Sequence, residues 1–228
     1  MIRYEIDGGN LPIVTCYPEA GQTMYSEAGA MCWMSPNFAI QTVSGGFDSA
    51  FNRMLAGESL YLNEYTTVGG PGMIAFASRF PGSILPLYIT PERGGIIVQK
   101  RSFLAMEQGL MMNIHFQRNL GIGFFGGEGF IMQRVAGTGM LFLEIDGFCK
   151  EIELAAGQSL IVDTGNLAAM SETCAIDILE IPGATNIFFG GHGLFHTRVT
   201  GPGRIWLQSM PISSTAQAIS PYIPRRSD

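Results

Sequence analysis

Three histidines, four cysteines and a few glycine-flanked acids are the residues of this 228-residue chain whose types and spacing could carry chemistry. His192 and His196 stand four apart, and on a strand they face one side, separated by roughly 13 Å along it, too far to share a metal. His115 is isolated. Cys16, Cys32, Cys149 and Cys174 show no metal-ligand spacing. Three of them sit in apolar surroundings, as in Met31-Cys32-Trp33, and read as buried free thiols. Cys149 and Cys174 fall in strand-like runs where a thiol is inert, which weakens a Cys–His dyad. No Gly-x-Ser-x-Gly elbow occurs, so the strained serine nucleophile is missing. Gly121 to Gly126 spells Gly-x-Gly-x-x-Gly, but no helix pattern follows to hold a phosphate. The expectation is a protein with no catalytic residue, no metal and no cofactor.

One constellation is symmetric. Phe124-Phe125-Gly126-Gly127-Glu128-Gly129 reappears as Phe188-Phe189-Gly190-Gly191-His192-Gly193, and the match continues from Arg134 to Gly139 and from Arg198 to Gly203 at a constant offset of 64 residues. A worn third version runs from Gly57-Glu58 to Gly72-Met73. Glu58, Glu128 and His192 therefore hold equivalent places, each after a glycine, and Arg134 and Arg198 are equivalent in two copies. Brought to one end of a symmetric domain, these five would form a small-ligand site; as bland turn residues beside glycines they would simply face water.

Stepping from those residues to what must hold them, a second unit alternates with the first. Glu5-Ile6-Asp7-Gly8 leads to Gly21-Gln22, and Glu144-Ile145-Asp146-Gly147 leads to Gly157-Gln158. The copies are placed at about 1–78, 79–145 and 146–212. Inside each, the pattern is β. Ile2, Tyr4 and Ile6 alternate with Arg3, Glu5 and Asp7, as in a half-buried strand. Met140 to Leu143 and Ile176 to Ile181 are short apolar runs suited to strands covered on both faces. Only Ser213 to Ser220 reads as a helix, with Ser213 or Ser214 as cap and Pro221 beyond its end, and residues 213–228 form this helix and a loose tail. Three units that cannot each cover an apolar face predict one all-β domain closed around a pseudo-threefold axis, as a barrel or prism.

Composition narrows the partners. Net charge is −6, with 14% charged and 46% hydrophobic residues, and the 13 basic residues form no stripe, which argues against nucleic acid. No apolar run is long enough for a membrane span, and the opening Met-Ile-Arg-Tyr lacks a signal-peptide pattern, so a cytoplasmic setting is expected. With 13 Met and 15 Phe, segments such as Leu110-Met111-Met112 and Phe51 to Leu55 predict an apolar patch and self-association.

The run Gly190-Gly191-His192-Gly193-Leu194-Phe195, followed by Gly201-Pro202-Gly203-Arg204-Ile205-Trp206-Leu207-Gln208-Ser209, resembles the signature end of the Altered Inheritance of Mitochondria protein twenty-four family. The resemblance extends from Glu5-Ile6 to Ala218-Ile219-Ser220-Pro221-Tyr222, and departs at His192, where the family usually has Glu. It implies a fold like that of the tryptophan RNA-binding attenuator, internal repeats and a tendency to trimerise, with no catalytic residues to carry over. The reading is a non-enzymatic oligomeric scaffold or binding protein, a trimer favoured, with an unknown protein or small molecule as further partner. The alternative is a small-ligand-binding or cupin-like metal-dependent protein.

Overall fold

The computed structural model describes residues 1–44, 61–118, 129–180 and 195–223. Their strands form four antiparallel sheets. The first runs β1 (Arg3–Asp7), β2 (Ile13–Tyr17), β7 (Ile74–Ala77), β4 (Met31–Met34). The second runs β5 (Phe38–Ser44), β6 (Tyr61–Thr67), β3 (Thr23–Glu27), β10 (Phe103–Glu107), β13 (Gly139–Asp146), β8 (Gly82–Ile89). The third runs β11 (Leu110–Arg118), β12 (Phe130–Gly137), β9 (Ile96–Gln99), β16 (Leu167–Ser171), β19 (Gly203–Gln208), β14 (Cys149–Leu154). The fourth has β15 (Ser159–Asp163), β18 (Phe195–Thr200) and β17 (Ala175–Glu180). One helix, α1 (Ile212–Ile219), follows. The chain is all-β with a short C-terminal helix. The expected closed barrel is corrected: none of the four sheets closes on itself among the described residues, because the end strands β1 and β4, β5 and β8, β11 and β14, and β15 and β17 do not pair with each other.

Pairing details recur along the chain. β10 meets β13 through Phe103↔Leu143, Ala105↔Phe142 and Met106↔Leu141, with a register shift after Phe103. β16 meets β19 through Leu167↔Leu207, Ala169↔Trp206 and Met170↔Ile205, each partner 64 residues on, with the shift after Leu167. β4 meets β7 through Met31↔Phe76, Trp33↔Ala75 and Met34↔Ile74, shifting after Met31. An inserted residue at one place in three ladders bends each strand alike. The hydroxyls of Thr23 and Thr66 lie 2.8 Å apart across β3 and β6, as do those of Ser159 and Thr200 across β15 and β18. The Phe-Phe-Gly-Gly segments that first revealed the offset lie outside the described residues.

Sheet burial explains the apolar runs. Along β13, Leu141, Leu143 and Ile145 enter one cluster with Val98, Val135 and Trp206 of the third sheet. Met140 and Phe142, on the opposite face, join Val14, Ile74 and Phe76 of the first sheet. A strand with core on both faces must lose its alternation, and this one does. A third cluster joins Ile97, Met132 and Ile205 to Val162 and Val199 of the fourth sheet. The expectation of two covered faces fails for β17, where Ala175 and Asp177 are exposed and Ile176 and Ile178 half-buried, the two isoleucines packing on the third cluster alone among the described residues. The Leu110-Met111-Met112 patch is corrected too: alternation on β11 buries Leu110 and Met112 and exposes only Met111. Phe51 to Leu55 lie outside the described residues.

Glycine is required where strands meet closely. At Gly137, φ is 120° and an added Cβ would stand 2.2 Å from the Gly109 carbonyl oxygen. At Gly203, φ is 143° and a Cβ would press on Thr173 and Cys174. These two positions belong to the Gly-x-Gly unit, so its glycines serve backbone geometry. The helix spans Ile212 to Ile219, and its start is corrected from a serine cap: Pro211 holds the cap position, and Asp146 Oδ2 accepts from the Ile212 N–H at 2.7 Å.

Phe142 is fully buried and meets Tyr4 edge to face, with ring centroids 5.0 Å apart. Phe142→Ala is expected to lower unfolding stability by about 3–5 kcal/mol in a urea titration. Phe148→Ala, at a site 69% exposed, should leave the midpoint nearly unchanged.

Candidate functional site

Among the described residues, charged side chains gather at one end of β13. Glu144, 4% exposed, is drawn inside by the apolar residues flanking it in the strand, so its carboxylate must find donors there. It finds them in the turn between β7 and β8. The Arg79 backbone N–H donates to Oε2 at 2.9 Å, Arg79 Nε donates to Oε1 at 3.1 Å, and Ser78 Oγ donates to Oε2 at 3.3 Å. Arg79 also pairs through Nη2 with Glu27, the last residue of β3. One guanidinium thus ties the two strands that bound the second sheet's central region.

Around this ion-paired node lies a cavity of about 210 Å³, whose charged lining is Glu27, Arg79, Lys100, Arg101, Glu144 and Asp146. Lys100 and Arg101 come from a single 3₁₀ turn between β9 and β10. Asp146 ends β13 and holds the start of α1. Burial raises the Glu27 carboxyl above its ordinary range, more than Arg79 lowers it. Burial likewise raises Asp146, against the lowering effect of the Ile212 N–H. Burial works to lower the Arg79 guanidinium, but Glu144 and Glu27 outweigh it and the net shift is upward. The arrangement can hold a small polar molecule between groups of both signs. No group of three His, Cys, Asp or Glu side chains among the described residues gathers as a metal site.

The glycine-flanked residues are placed differently. Glu58, Glu128 and His192 lie outside the described residues. Arg134 stands on β12 opposite Ile97, and its Nε donates to Glu172 Oε2 at 2.7 Å. Arg198 stands on β18 opposite Ile161 and is exposed. The two arginines belong to different sheets. His115 is exposed on β11, and His196 is half-buried on β18 opposite Asp163. The six charged cavity residues escaped the sequence reading, although two signals pointed there: the Glu144-Ile145-Asp146 motif and the Lys100-Arg101 pair. Alternation would have put Glu144 on a wet face, and only the second layer over β13 buries it.

The thiols divide by exposure. Cys16 and Cys174 are buried, Cys149 is half-buried, and Cys32 is exposed, which corrects the expectation from its apolar neighbours, since β4 ends its sheet. Burial, with Glu107 adding to it, pushes the Cys16 thiol up to about 12. Burial also raises Cys149 and Cys174. Iodoacetamide at pH 8 is therefore expected to modify Cys32 first, with Cys16 and Cys174 protected until denaturant is added, as read by peptide mass.

The Arg134–Glu172 pair makes a pH prediction. The Arg134 hydrogen bond lowers the Glu172 carboxyl below its ordinary range, so the pair's contribution is complete at neutral pH and is lost as pH falls through that depressed value. Both side chains are partly exposed, at 44% and 29%, so Glu172→Gln should cost only about 0.5 kcal/mol at pH 7. In urea titrations the difference from the parent chain should shrink as pH falls below the ordinary carboxylate range and vanish once Glu172 is protonated in the folded chain.

Relatives of this chain match it over nearly its whole length. An uncharacterised protein of Streptococcus pyogenes serotype M6 is 27% identical over 238 residues, covering 100% of this chain and 93% of that protein. The crystal structure of protein SPYM3_0169 from Streptococcus pyogenes superposes with a TM-score of 0.79 at 25% identity, covering 98% of this chain and 100% of that one. Residues 4–210 match the family described as Mitochondrial biogenesis AIM24, and the chain belongs to that family.

Proposed function

We propose that this chain is a non-enzymatic binding protein of the cytoplasm, working as a homo-oligomer with a trimer favoured, and built of three repeats at about 1–78, 79–145 and 146–212 within one domain. Residues 213–228 add the helix and tail. The recurring register shifts in β4, β10 and β16 support the three-repeat, attenuator-like reading. The observation that carries the binding role is the charged cavity. Under those boundaries Glu27 comes from the first repeat, Arg79, Lys100, Arg101 and Glu144 from the second, and Asp146 from the third. A site made where repeats meet is a usual place for a ligand. With three acidic and three basic groups around it, it suits a small solute carrying both charges. The set Glu58, Glu128, His192, Arg134 and Arg198 is a second candidate surface, favoured by the matching places of Arg134 opposite Ile97 and Arg198 opposite Ile161.

Thermal unfolding with millimolar glutamate, arginine and inorganic phosphate tests the cavity. A ligand at about a hundred times its Kd stabilises by about 2.7 kcal/mol, a clear rise in midpoint. At least one of the three is expected to give such a rise, and Lys100→Ala to remove it while leaving circular dichroism unchanged. A flat response to all three, or a rise that survives Lys100→Ala, would count against the cavity.

A further inference from the structure

Two sheets are incomplete in a complementary way. In the second sheet the half β5-β6-β3 is joined to the half β10-β13-β8 by the pairing of β3 with β10. In the third, β11-β12-β9 is joined to β16-β19-β14 by the pairing of β9 with β16. The fourth sheet, β17-β18-β15, has the order of a first half, and the first sheet, β4-β7-β2 with β1 added, has the order of a second half. The register of the two joints is shared: Ala105↔Ser26 and Met106↔Tyr25 in one, Ala169↔Val98 and Met170↔Ile97 in the other. Carried to the unjoined halves through the matching register shifts, it sets Trp33 opposite Val162 and Met34 opposite Ile161.

Burial shows what the missing joint leaves open. Tyr25 on β3 is 8% exposed and Ile97 on β9 is fully buried, whereas Ile161, in the same place on β15, is 54% exposed. On the other side, Ala105 and Ala169 are fully buried and Trp33 is 46% exposed. Had β4 and β15 of one chain paired with each other, these residues would be covered like their counterparts. Both edges carry less of the usual protection against pairing than β1, β14 and β8 do. β1 has Arg3, Glu5 and Asp7, β14 has Lys150, Glu151 and Glu153, and β8 has Pro86. β4 is Met31-Cys32-Trp33-Met34, and β15 has no charge before Asp163.

We propose that the β15 edge of one copy pairs antiparallel with the β4 edge of a second copy of this chain, in the register of the two internal joints, completing between copies a third core sheet like the two internal ones, with β1 as an added seventh strand. The backbone of each edge, which has no outer strand among the described residues, then gains partners, and Trp33 and Ile161 leave water. The two edges are different surfaces, so the contact is head to tail and takes up every edge only by closing into a ring. This contact is independent of the charged cavity and stands or falls without it.

Light scattering on the full chain, with Ile161→Lys and Trp33→Lys as separate variants, reads the contact. The parent chain is expected at a multiple of 24.7 kDa at micromolar concentration, and each variant at 24.7 kDa with unchanged circular dichroism. Both residues are exposed in the single chain, so the variants retain its core. Met34→Cys with Ile161→Cys, in a Cys32→Ser background, places thiols directly across the joint under oxidation. Reducible cross-linked multimers are the supporting result. A parent mass of one chain, a cross-link within one chain, or a multimer that both lysine variants leave intact would overturn the proposal.

Discussion

Each six-stranded layer of this protein depends on one kind of contact: the antiparallel joint at the middle of the sheet, made between strands remote in the chain. β3 meets β10, and β9 meets β16. Buried peptide groups must have partners, and these strands lie inside layers that carry core on both faces. No hairpin neighbour can supply those partners on the joint side. Each half-sheet therefore passes its unfinished edge to the next half, and β4 and β15 are the two places where the single chain stops doing so.

The same joints explain where charge is tolerated inside. Glu144 lies on β13, beside the joint strand β10, with a layer packed over it. A carboxyl group in that position is satisfied by four donor contacts from Ser78 and Arg79. Removing one partner of such a pair costs more than the pair contributes, because the other is left buried without compensation. Arg79 reaches Glu27 as well, so the node ties β3 to β13 on either side of β10. The cavity beside it is polar because Glu27, Arg79 and Glu144 of the node line it together with Lys100, Arg101 and Asp146.

The functional residues and the structural residues are thus hard to separate. Asp146 accepts from the first helical N–H and also lines the cavity. Glu27 belongs to the node and to the cavity wall. A ligand between these groups would sit on elements already held by the core, which keeps those side chains in place.

The sequence by itself determined the local rules: strands from alternation and apolar runs, turns from glycine, and the recurrence of one motif at an offset of 64 residues, which returns in the partners of β10 and β16. It also revealed the family, through the glycine-rich ends. Those features are legible because period, turn geometry and repetition are written in neighbouring residues. The tertiary structure alone decided which faces of β13 and β17 are covered, that Glu144 is buried, that Lys100 and Arg101 share a cavity with Asp146, and that Cys32 is exposed on an open edge. Each of those depends on which remote strand lies alongside or above, and the energy that selects it is shared across whole layers and leaves no mark at a single position.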